Sequence, residues 1–195
     1  MTTAAELTPK ARAVLAAASE LFYEHGIHAV GVDAVAARAG VTKKTLYDRF
    51  GSKERLVVAY LAARDREWRA HLDTHLRAGG QSPREQLLAV FEAADSWARA
   101  HSSKGCSMIN AHAEISDPAH PAYDVIVGQK RWMLTLFTGV ATAAGVPAPE
   151  RVAKQIMLLH EGALVTAGMG VLDGAFDRAG ELAVTLLDQW SGSVN

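Results

Sequence analysis

The residues best suited to bind a large anion lie between Thr42 and Arg49. The stretch reads T-K-K-T-L-Y-D-R and is followed by Phe50. Leu46 and Phe50, four positions apart, predict a helix with one buried side, and Thr42 is a preferred N-cap residue. The exposed side then carries Lys44, Thr45 and Asp48, flanked by Lys43, Tyr47 and Arg49. A short helix with one apolar and one cationic side suits the major groove of DNA.

A second short helix is predicted directly before it. Val32, Val35, Ala36 and Ala39 form an apolar stripe, Gly40 permits a tight turn, and Val41 is expected to fill the junction. Two helices joined by such a turn make a helix-turn-helix, in which the second helix reads DNA. On these residues alone, a plain helical hairpin with a solvated basic face remains the alternative.

Two other groups of residues have side chains that could support chemistry. Cys106 follows Gly105 at a predicted helix start, where a thiolate is stabilised, but no third residue is evident to complete a catalytic set with His101 or His112. His71 and His75 have the spacing of a metal pair, yet no third ligand is visible, so a solvated helix face is expected. The sequence therefore predicts no enzyme, no metal and no cofactor.

Composition agrees with a globular protein that works on DNA in a reducing compartment. Residues 1–77 carry 12 Lys and Arg against 9 Asp and Glu, a net +3, whereas residues 78–195 carry 8 against 12, a net −4. The basic excess thus lies where phosphates would be bound. With one cysteine, no internal disulfide forms, and Met1–Lys10 lacks an apolar signal segment. We expect a cytoplasmic protein.

The chain is predicted to be all-α, with about nine helices and no strand. Apolar residues recur at three and four along it, and Pro and Gly separate the periodic segments. No residue between Trp132 and Pro149 is charged, but Gly145, Pro147 and Pro149 interrupt that run. It is too short and too polar for a membrane span, and a buried helix is expected instead.

Several motifs in the first 60 residues occur in register with a known family. They are S-E-L-F at 19–22 with Gly26, V-A-A-R-A-G-V at 35–41, T-K-K-T-L-Y-D-R-F at 42–50 and G-S-K-E at 51–54. The stretch from Val14 to Tyr60 resembles the DNA-binding domain of TetR-family regulators. The resemblance implies a three-helix helix-turn-helix domain at 1–53, a connecting fourth helix at 52–78, and a ligand-sensing and dimerisation domain at 79–195.

The same resemblance implies roles for individual side chains. Lys43, Lys44 and Thr45 open the recognition helix and are expected to read base edges. Thr42 and Tyr47 occupy positions at which the family contacts phosphates. Arg49 is expected to reach either a base or the phosphate backbone. Lys53 corresponds to a phosphate clamp beside the amides of a helix N-terminus.

Three residues depart from the family pattern. Gly31 has no hydroxyl to offer a phosphate, Val32 replaces a common polar residue, and Asp33 would repel a phosphate. The second helix is therefore expected to add no side-chain phosphate contact. Asp48 is expected to pair with Lys44 at i,i+4, the alternative being a contact to a cytosine amino group.

For the C-terminal part, the resemblance implies a small-molecule pocket and a dimer. Pocket candidates are apolar residues with a few polar groups: Trp97, Met108, Ile109, His112, Trp132, Met133, Phe137, Met157 and His160. Repeating apolar or small residues on the last two helices predict pairing of two chains: Leu158, Gly162, Val165, Met169, Leu182, Leu186 and Trp190. Core packing within one chain is the alternative for both sets. Glu114 and Glu161 are expected to be ordinary solvated charges.

Together these features predict a ligand-responsive dimeric regulator, most simply a repressor that a small molecule releases from an approximately palindromic operator. The alternative is a helical small-molecule-binding module with weak or vestigial DNA binding, which the departures at 31–33 favour. No membrane partner is expected.

Overall fold

Capping residues define where the first helices begin and end. The computed structural model describes residues 7–101 and 104–191. Thr8 Oγ1 accepts a hydrogen bond from the amide of Ala11 (3.3 Å), Pro9 occupies the first helical position, and Gly26 ends the helix with φ 89°. Gly can adopt this positive φ without strain. Thr42 and Ser52 cap two later helices in the same way.

Every described regular element is an α-helix, which confirms the all-α prediction. The helices are α1 (Pro9–His25), α2 (Val32–Arg38), α3 (Lys43–Phe50), α4 (Lys53–Ala78), α5 (Pro83–His101), α6 (Ser107–Glu114), α7 (Tyr123–Ala143), α8 (Pro149–Gly168) and α9 (Ala175–Ser191). The predicted end of α5 near Ser103 lies outside the described residues.

The chain divides into two compact units. One unit, here the head, contains the described residues up to Arg66 and the segment Ser107–Gly128. The other, here the sensing unit, contains the described residues from Glu67 to Cys106 and from Gln129 onward. This division differs from the one at 1–53 and 79–195, because α6 and the first turns of α7 pack with the N-terminal helices.

The head has its own apolar core. In it, α1 packs against α2 and α3, and α2 packs against α3. Phe22 and Tyr60 meet with ring centroids 5.7 Å apart. The fully buried side chains of α3 and α4 include Leu46, Leu56 and Leu61. Burial of large side chains of this kind contributes about 1.5–3 kcal/mol each, so α3 is held firmly by one side.

The sensing unit is built around α5, α8 and α9. The last helix, α9, packs against both α5 and α8. The apolar core of the sensing unit contains residues of α4, α5, α7, α8 and α9. Phe137, Met133, Ile156 and Leu87 are fully buried there. Among the described helices, none is long and apolar enough to cross a membrane.

Candidate functional site

The recognition helix α3 is fixed at both ends and on one side. Thr42 Oγ1 accepts from the amide of Thr45 (3.1 Å) and lies 2.9 Å from its hydroxyl. Leu46 is fully buried, and Gly51 ends the helix with φ 79°. Before the helix, Gly40 has φ 64°, as the predicted tight turn requires. These restraints set which side of α3 faces outward.

The outward side of α3 carries most of the side chains predicted to bind DNA. Lys43, Lys44 and Arg49 are exposed, and Tyr47 is an exposed aromatic ring with 40% of its surface accessible. Thr45 is half-buried because it shares the cap with Thr42. This face therefore presents cations, a phenol and a hydroxyl within eight residues.

Both lysines at the start of α3 are held by carboxylates of the head. Lys44 Nζ lies 2.8 Å from Asp48 Oδ2, which confirms the predicted i,i+4 pair. Lys43 Nζ lies 3.0 Å from Asp33 Oδ2 on α2, a pair that the sequence analysis missed. The hydrogen bond and charge of Asp33 raise the pKa of Lys43. Asp33 thus holds Lys43, one of the predicted base readers, against α2.

Lys53 stands at the first position of α4. Its Nζ lies 3.5 Å from the carbonyl oxygen of His28, in the loop between α1 and α2. Ser52 Oγ accepts from the amide of Arg55 (3.1 Å) and caps this helix end. An ammonium group beside a capped helix N-terminus is well placed for a phosphate oxygen.

An arginine–carboxylate pair joins α2 to α1 on the surface of the head. The Arg38 guanidinium donates to both carboxylate oxygens of Glu20. Its Nε lies 3.1 Å from Oε2, and its Nη2 lies 2.8 Å from Oε2 and 2.5 Å from Oε1. Forked Arg–carboxylate contacts of this kind fix geometry as well as charge. Glu20 belongs to the motif at 19–22, but the sequence alone does not predict its pairing with Arg38.

Glu114 is a correction to the sequence analysis. It was expected to be a solvated charge, yet its Oε1 accepts from the amide of Ile27 (2.8 Å) and its Oε2 from the amide of His28 (2.7 Å). About a quarter of its side chain is exposed. The α6 carboxylate therefore binds the loop that follows α1, which lies 86 residues earlier in the chain.

The predicted ligand-binding residues divide between the two units. Met108, Ile109 and His112 lie on α6 and belong to the head. The other six belong to the sensing unit: Trp97, Trp132, Met133, Phe137, Met157 and His160. Met133, Phe137 and His160 are buried, and His112 is exposed.

An open cavity of about 420 Å³ lies in the sensing unit. It is lined by Gln81, Pro83, Gln86, Trp132, Thr135, Leu136, Gly139, Val140 and Ala143. Of the predicted ligand-binding residues, Trp132 alone lines it. The guanidinium of Arg69 lies 4.0 Å from the centre of the Trp132 ring, within the range of a cation–π contact. The cavity thus has an aromatic wall and amide groups at its rim.

A buried polar chain runs through the same unit. Lys130 Nζ lies 2.7 Å from Glu161 Oε2 and 3.4 Å from Cys106 Sγ, and Glu161 Oε1 lies 3.2 Å from His160 Nδ1. His160 packs between the rings of Phe91 and Phe137, with centroids 5.8 and 5.6 Å away. Glu161 was expected to be solvated. It is mostly buried, with Lys130 as its ion-pair partner and His160 in hydrogen-bond contact with it.

The pKa values of this chain follow from burial and from its neighbours. Burial lowers the pKa of His160, and the hydrogen bond to Glu161 only partly opposes it. Burial would raise the pKa of Glu161, but His160 and Lys130 together lower it. Burial would lower the pKa of Lys130, but Cys106 and Glu161 raise it overall. Burial therefore disfavours the charged form of His160, whereas Lys130 and Glu161 favour each other's charged forms.

His71 and His75 do not form the solvated face that was expected. His71 Nε2 lies 2.8 Å from Ser96 Oγ and 3.1 Å from the carbonyl of Ala93, and His75 Nε2 lies 3.2 Å from the same hydroxyl. Both are half-buried. No group of three or more metal-ligating residues occurs in the described part of the chain. The two imidazoles instead join α4 to α5.

The predicted pairing residues lie on α8, at its C-cap Met169 and on α9, and four of them are large exposed apolar side chains. Leu158 is 74% exposed and Met169 70%, and Val165 and Leu182 are also exposed. A Cβ added at Gly162 would meet no atom within 4 Å. Leu186 and Trp190 are half-buried. Large exposed apolar side chains on one face are unusual in a monomer and indicate an interaction surface.

Comparison with known proteins finds regulators of transcription among the relatives of this chain. The model for bacterial regulatory proteins of the tetR family matches residues 14–60. The transcriptional activator FasR of Mycolicibacterium smegmatis is 35% identical over 111 residues, which are 54% of this chain and 47% of FasR. The regulator YjdC of Escherichia coli is 27% identical over 177 residues, 89% of this chain and 91% of YjdC.

Solved structures extend the likeness to the whole fold. A TetR transcriptional regulator from Streptomyces avermitilis is 33% identical with a TM-score of 0.80, covering 94% of this chain and 98% of that one. A TetR-family regulator from Streptomyces coelicolor is 28% identical with a TM-score of 0.81, covering 95% and 96%. Together with the exposed cationic face of α3, these matches establish that the chain belongs to the TetR family of bacterial DNA-binding transcriptional regulators.

Proposed function

We propose that the protein is a dimeric, ligand-responsive regulator, a repressor that a small molecule releases from an approximately palindromic operator. The observation that carries the DNA-binding part is the outward face of α3, with Lys43, Lys44, Tyr47 and Arg49 exposed around one buried leucine. The proposed base readers are Lys43, Lys44 and Thr45. Thr42, Tyr47 and Lys53 are the proposed phosphate contacts, with Arg49 reaching either.

The test is binding to an operator selected from random duplexes. Replacing Lys43, Lys44 and Tyr47 together by alanine is expected to abolish selective binding, because both base and phosphate contacts are lost. Lys53→Ala is expected to weaken all sequences alike and to reduce the salt slope by about one unit. Equal affinity of the triple variant and the wild type would refute the proposed interface.

Pairing through α8 and α9 is supported by the exposed stripe of Leu158, Val165, Met169 and Leu182. Two-fold pairing would place two recognition helices about 34–36 Å apart, which requires half-sites one helical turn apart. Gly162→Arg is expected to produce a monomer in light scattering. Ala16→Arg is the control, because it places the same side chain at an exposed small residue of a helix in the head.

Ligand control is supported by the cavity beside Trp132 and by plastic side chains such as Met133 and Met157. Because α4 begins at Lys53 and extends to Ala78, we propose that a ligand acts by tilting this helix. A 100-fold release requires about 2.7 kcal/mol of coupling, and operator DNA must then weaken ligand binding by the same factor. Calorimetric titration of a screened ligand with and without operator tests this reciprocity.

One observation favours the alternative, a small-molecule-binding module with vestigial DNA binding. Lys43 and Lys44 are both paired with carboxylates of the head, which reduces the cationic charge available to DNA. The two functions differ in one measurement. The regulator binds a selected operator far more tightly than random DNA, whereas the vestigial module binds both with the same weak affinity. FasR is named as an activator, so a reporter under the operator is needed to establish the sign.

A further inference from the structure

The turn that follows α1 depends on a single side chain for its backbone hydrogen bonds. After Gly26 the chain leaves the helix, and the next two amides, of Ile27 and His28, both point to the carboxylate of Glu114. The two bonds are 2.8 and 2.7 Å long, and each uses a different carboxylate oxygen. One acidic residue of α6 thus satisfies two consecutive donors of the α1–α2 loop.

The fit around this carboxylate is close. A Cβ at Gly26 would lie 3.2 Å from Glu114 Oε1, in addition to the positive φ at that position. Ile27 is buried, and the His28 imidazole adds an Nδ1 3.7 Å from Oε2. Hydrogen bonds from amides to a carboxylate are about twice as strong as those between neutral groups. The two bonds to Glu114 therefore restrain the α1–α2 loop firmly.

The loop held in this way leads directly to the DNA-binding face. His28 offers its amide to Glu114 and its carbonyl to Lys53, the proposed phosphate clamp at the start of α4. We infer that Glu114 is a positioning residue for DNA binding: its carboxylate fixes the α1–α2 loop, and the loop in turn places Lys53. Glu114 itself makes no contact with DNA in this inference.

Electrostatics alone predicts the opposite effect of removing this residue. A negative charge in a DNA-binding unit repels phosphate, so its neutralisation would strengthen binding if charge were its only contribution. A positioning role predicts weaker operator binding instead. The two explanations therefore differ in sign, which makes the inference testable by affinity.

The experiment compares Glu114→Ala and Glu114→Gln with the wild type on a selected operator and on random duplex DNA. Asp124→Asn is the matched control, because it removes an exposed carboxylate from the same unit at the first turn of α7. We expect Glu114→Ala to lose about tenfold in operator affinity, as two charge-assisted bonds are broken. Glu114→Gln, which keeps one acceptor, should lose less, and Asp124→Asn should lose nothing.

Two further measurements separate positioning from general stability. Amide exchange is expected to accelerate at Ile27 and His28 in Glu114→Ala, while the melting temperature confirms that the variant is folded at the assay temperature. In a Lys53→Ala background, Glu114→Ala should cost clearly less than in the wild type, because the residue acts through Lys53.

Two results would overturn the inference. One is an operator affinity of the Glu114 variants that equals or exceeds that of the wild type, although amide exchange at Ile27 and His28 is faster. A higher affinity is the result that loss of a negative charge alone would give. The other is full additivity of Glu114→Ala and Lys53→Ala. If Glu114→Ala fails to fold, the same two criteria apply to Glu114→Gln. DNA binding by Lys53→Ala and by wild type is measured in parallel, so failure of the proposed DNA interface is distinguished from failure of this inference.

Discussion

The two units of this chain treat charge in opposite ways. In the head, Lys43 and Lys44 form ion pairs that are open to solvent, with 83% of the Lys44 side chain exposed. In the sensing unit, Lys130, Glu161 and His160 form a chain of which less than a quarter of any side chain is exposed. Exposed pairs exchange partners at little cost, whereas buried pairs are expensive to break.

The difference fits the tasks proposed for the two units. Lysines that bind phosphates or bases must leave Asp33 and Asp48, and water lowers the cost of that exchange. A chain of buried polar groups keeps one arrangement, because an unpaired charge inside a protein is strongly unfavourable. The head is thus suited to exchange its ionic contacts, and the sensing unit to retain them.

The largest effect is expected from breaking the buried pair. Glu161→Ala leaves the Lys130 ammonium without its carboxylate and should lower the free energy of unfolding by about 3 kcal/mol. Urea denaturation at fixed protein concentration measures it. A double variant, Lys130→Met with Glu161→Leu, should recover most of the loss. A loss below about 1 kcal/mol would show that this pair behaves like an exposed one.

An intermediate effect is expected on operator binding. Lys44→Ala should weaken a specific site by about 1–3 kcal/mol if the lysine contacts a base. Lys154→Ala, which removes an exposed lysine from α8, controls for the change in net charge. Fluorescence anisotropy at constant salt gives both values. Equal losses for the two variants would mean that Lys44 contributes only its charge.

A smaller effect is expected from pH. Burial lowers the pKa of His160 below its ordinary 6.5. The unfolded chain therefore binds a proton at this residue more readily than the folded chain does. The contribution of neutral His160 to the free energy of unfolding is fully present above about pH 6.5 and decreases as the pH falls below that value. Urea denaturation at pH 7.5 and 5.5 should show a shallower decrease for His160→Gln. Burial also lowers the pKa of His71, so the double variant with His71→Gln should be shallower still.

The smallest effect is expected from the exposed pair of α3. Asp48→Ala should change the free energy of unfolding by only about 0.3–0.5 kcal/mol, the usual value for an i,i+4 pair. The same variant should strengthen binding to random DNA, because Lys44 is released and a negative charge is lost. Weaker binding to random DNA would indicate that Asp48 orients Lys44 for its contact.

Local sequence patterns predicted the helices and part of the site. The cap Thr42 is predictable because capping depends on residues three positions apart, and the pair of Lys44 with Asp48 because i,i+4 pairs share a helix face. Lys43 with Asp33 and Glu114 with Ile27 join different helices. Their partners are set by tertiary packing, which one sequence does not reveal. The pocket and dimer residues remain predictions.

The division of the head into two chain segments has a consequence for its synthesis. Residues 27 and 28 leave the ribosome long before Glu114, and the segment that completes the head ends at Gly128. At about 5–20 residues per second, the 48 residues from Glu67 to Glu114 are added in about 2–10 s. During this interval the helix-turn-helix carries a loop whose two amides lack their carboxylate acceptor. An N-terminal fragment of a nascent or cleaved chain therefore lacks the finished head, and only the chain extended past α6 can complete it.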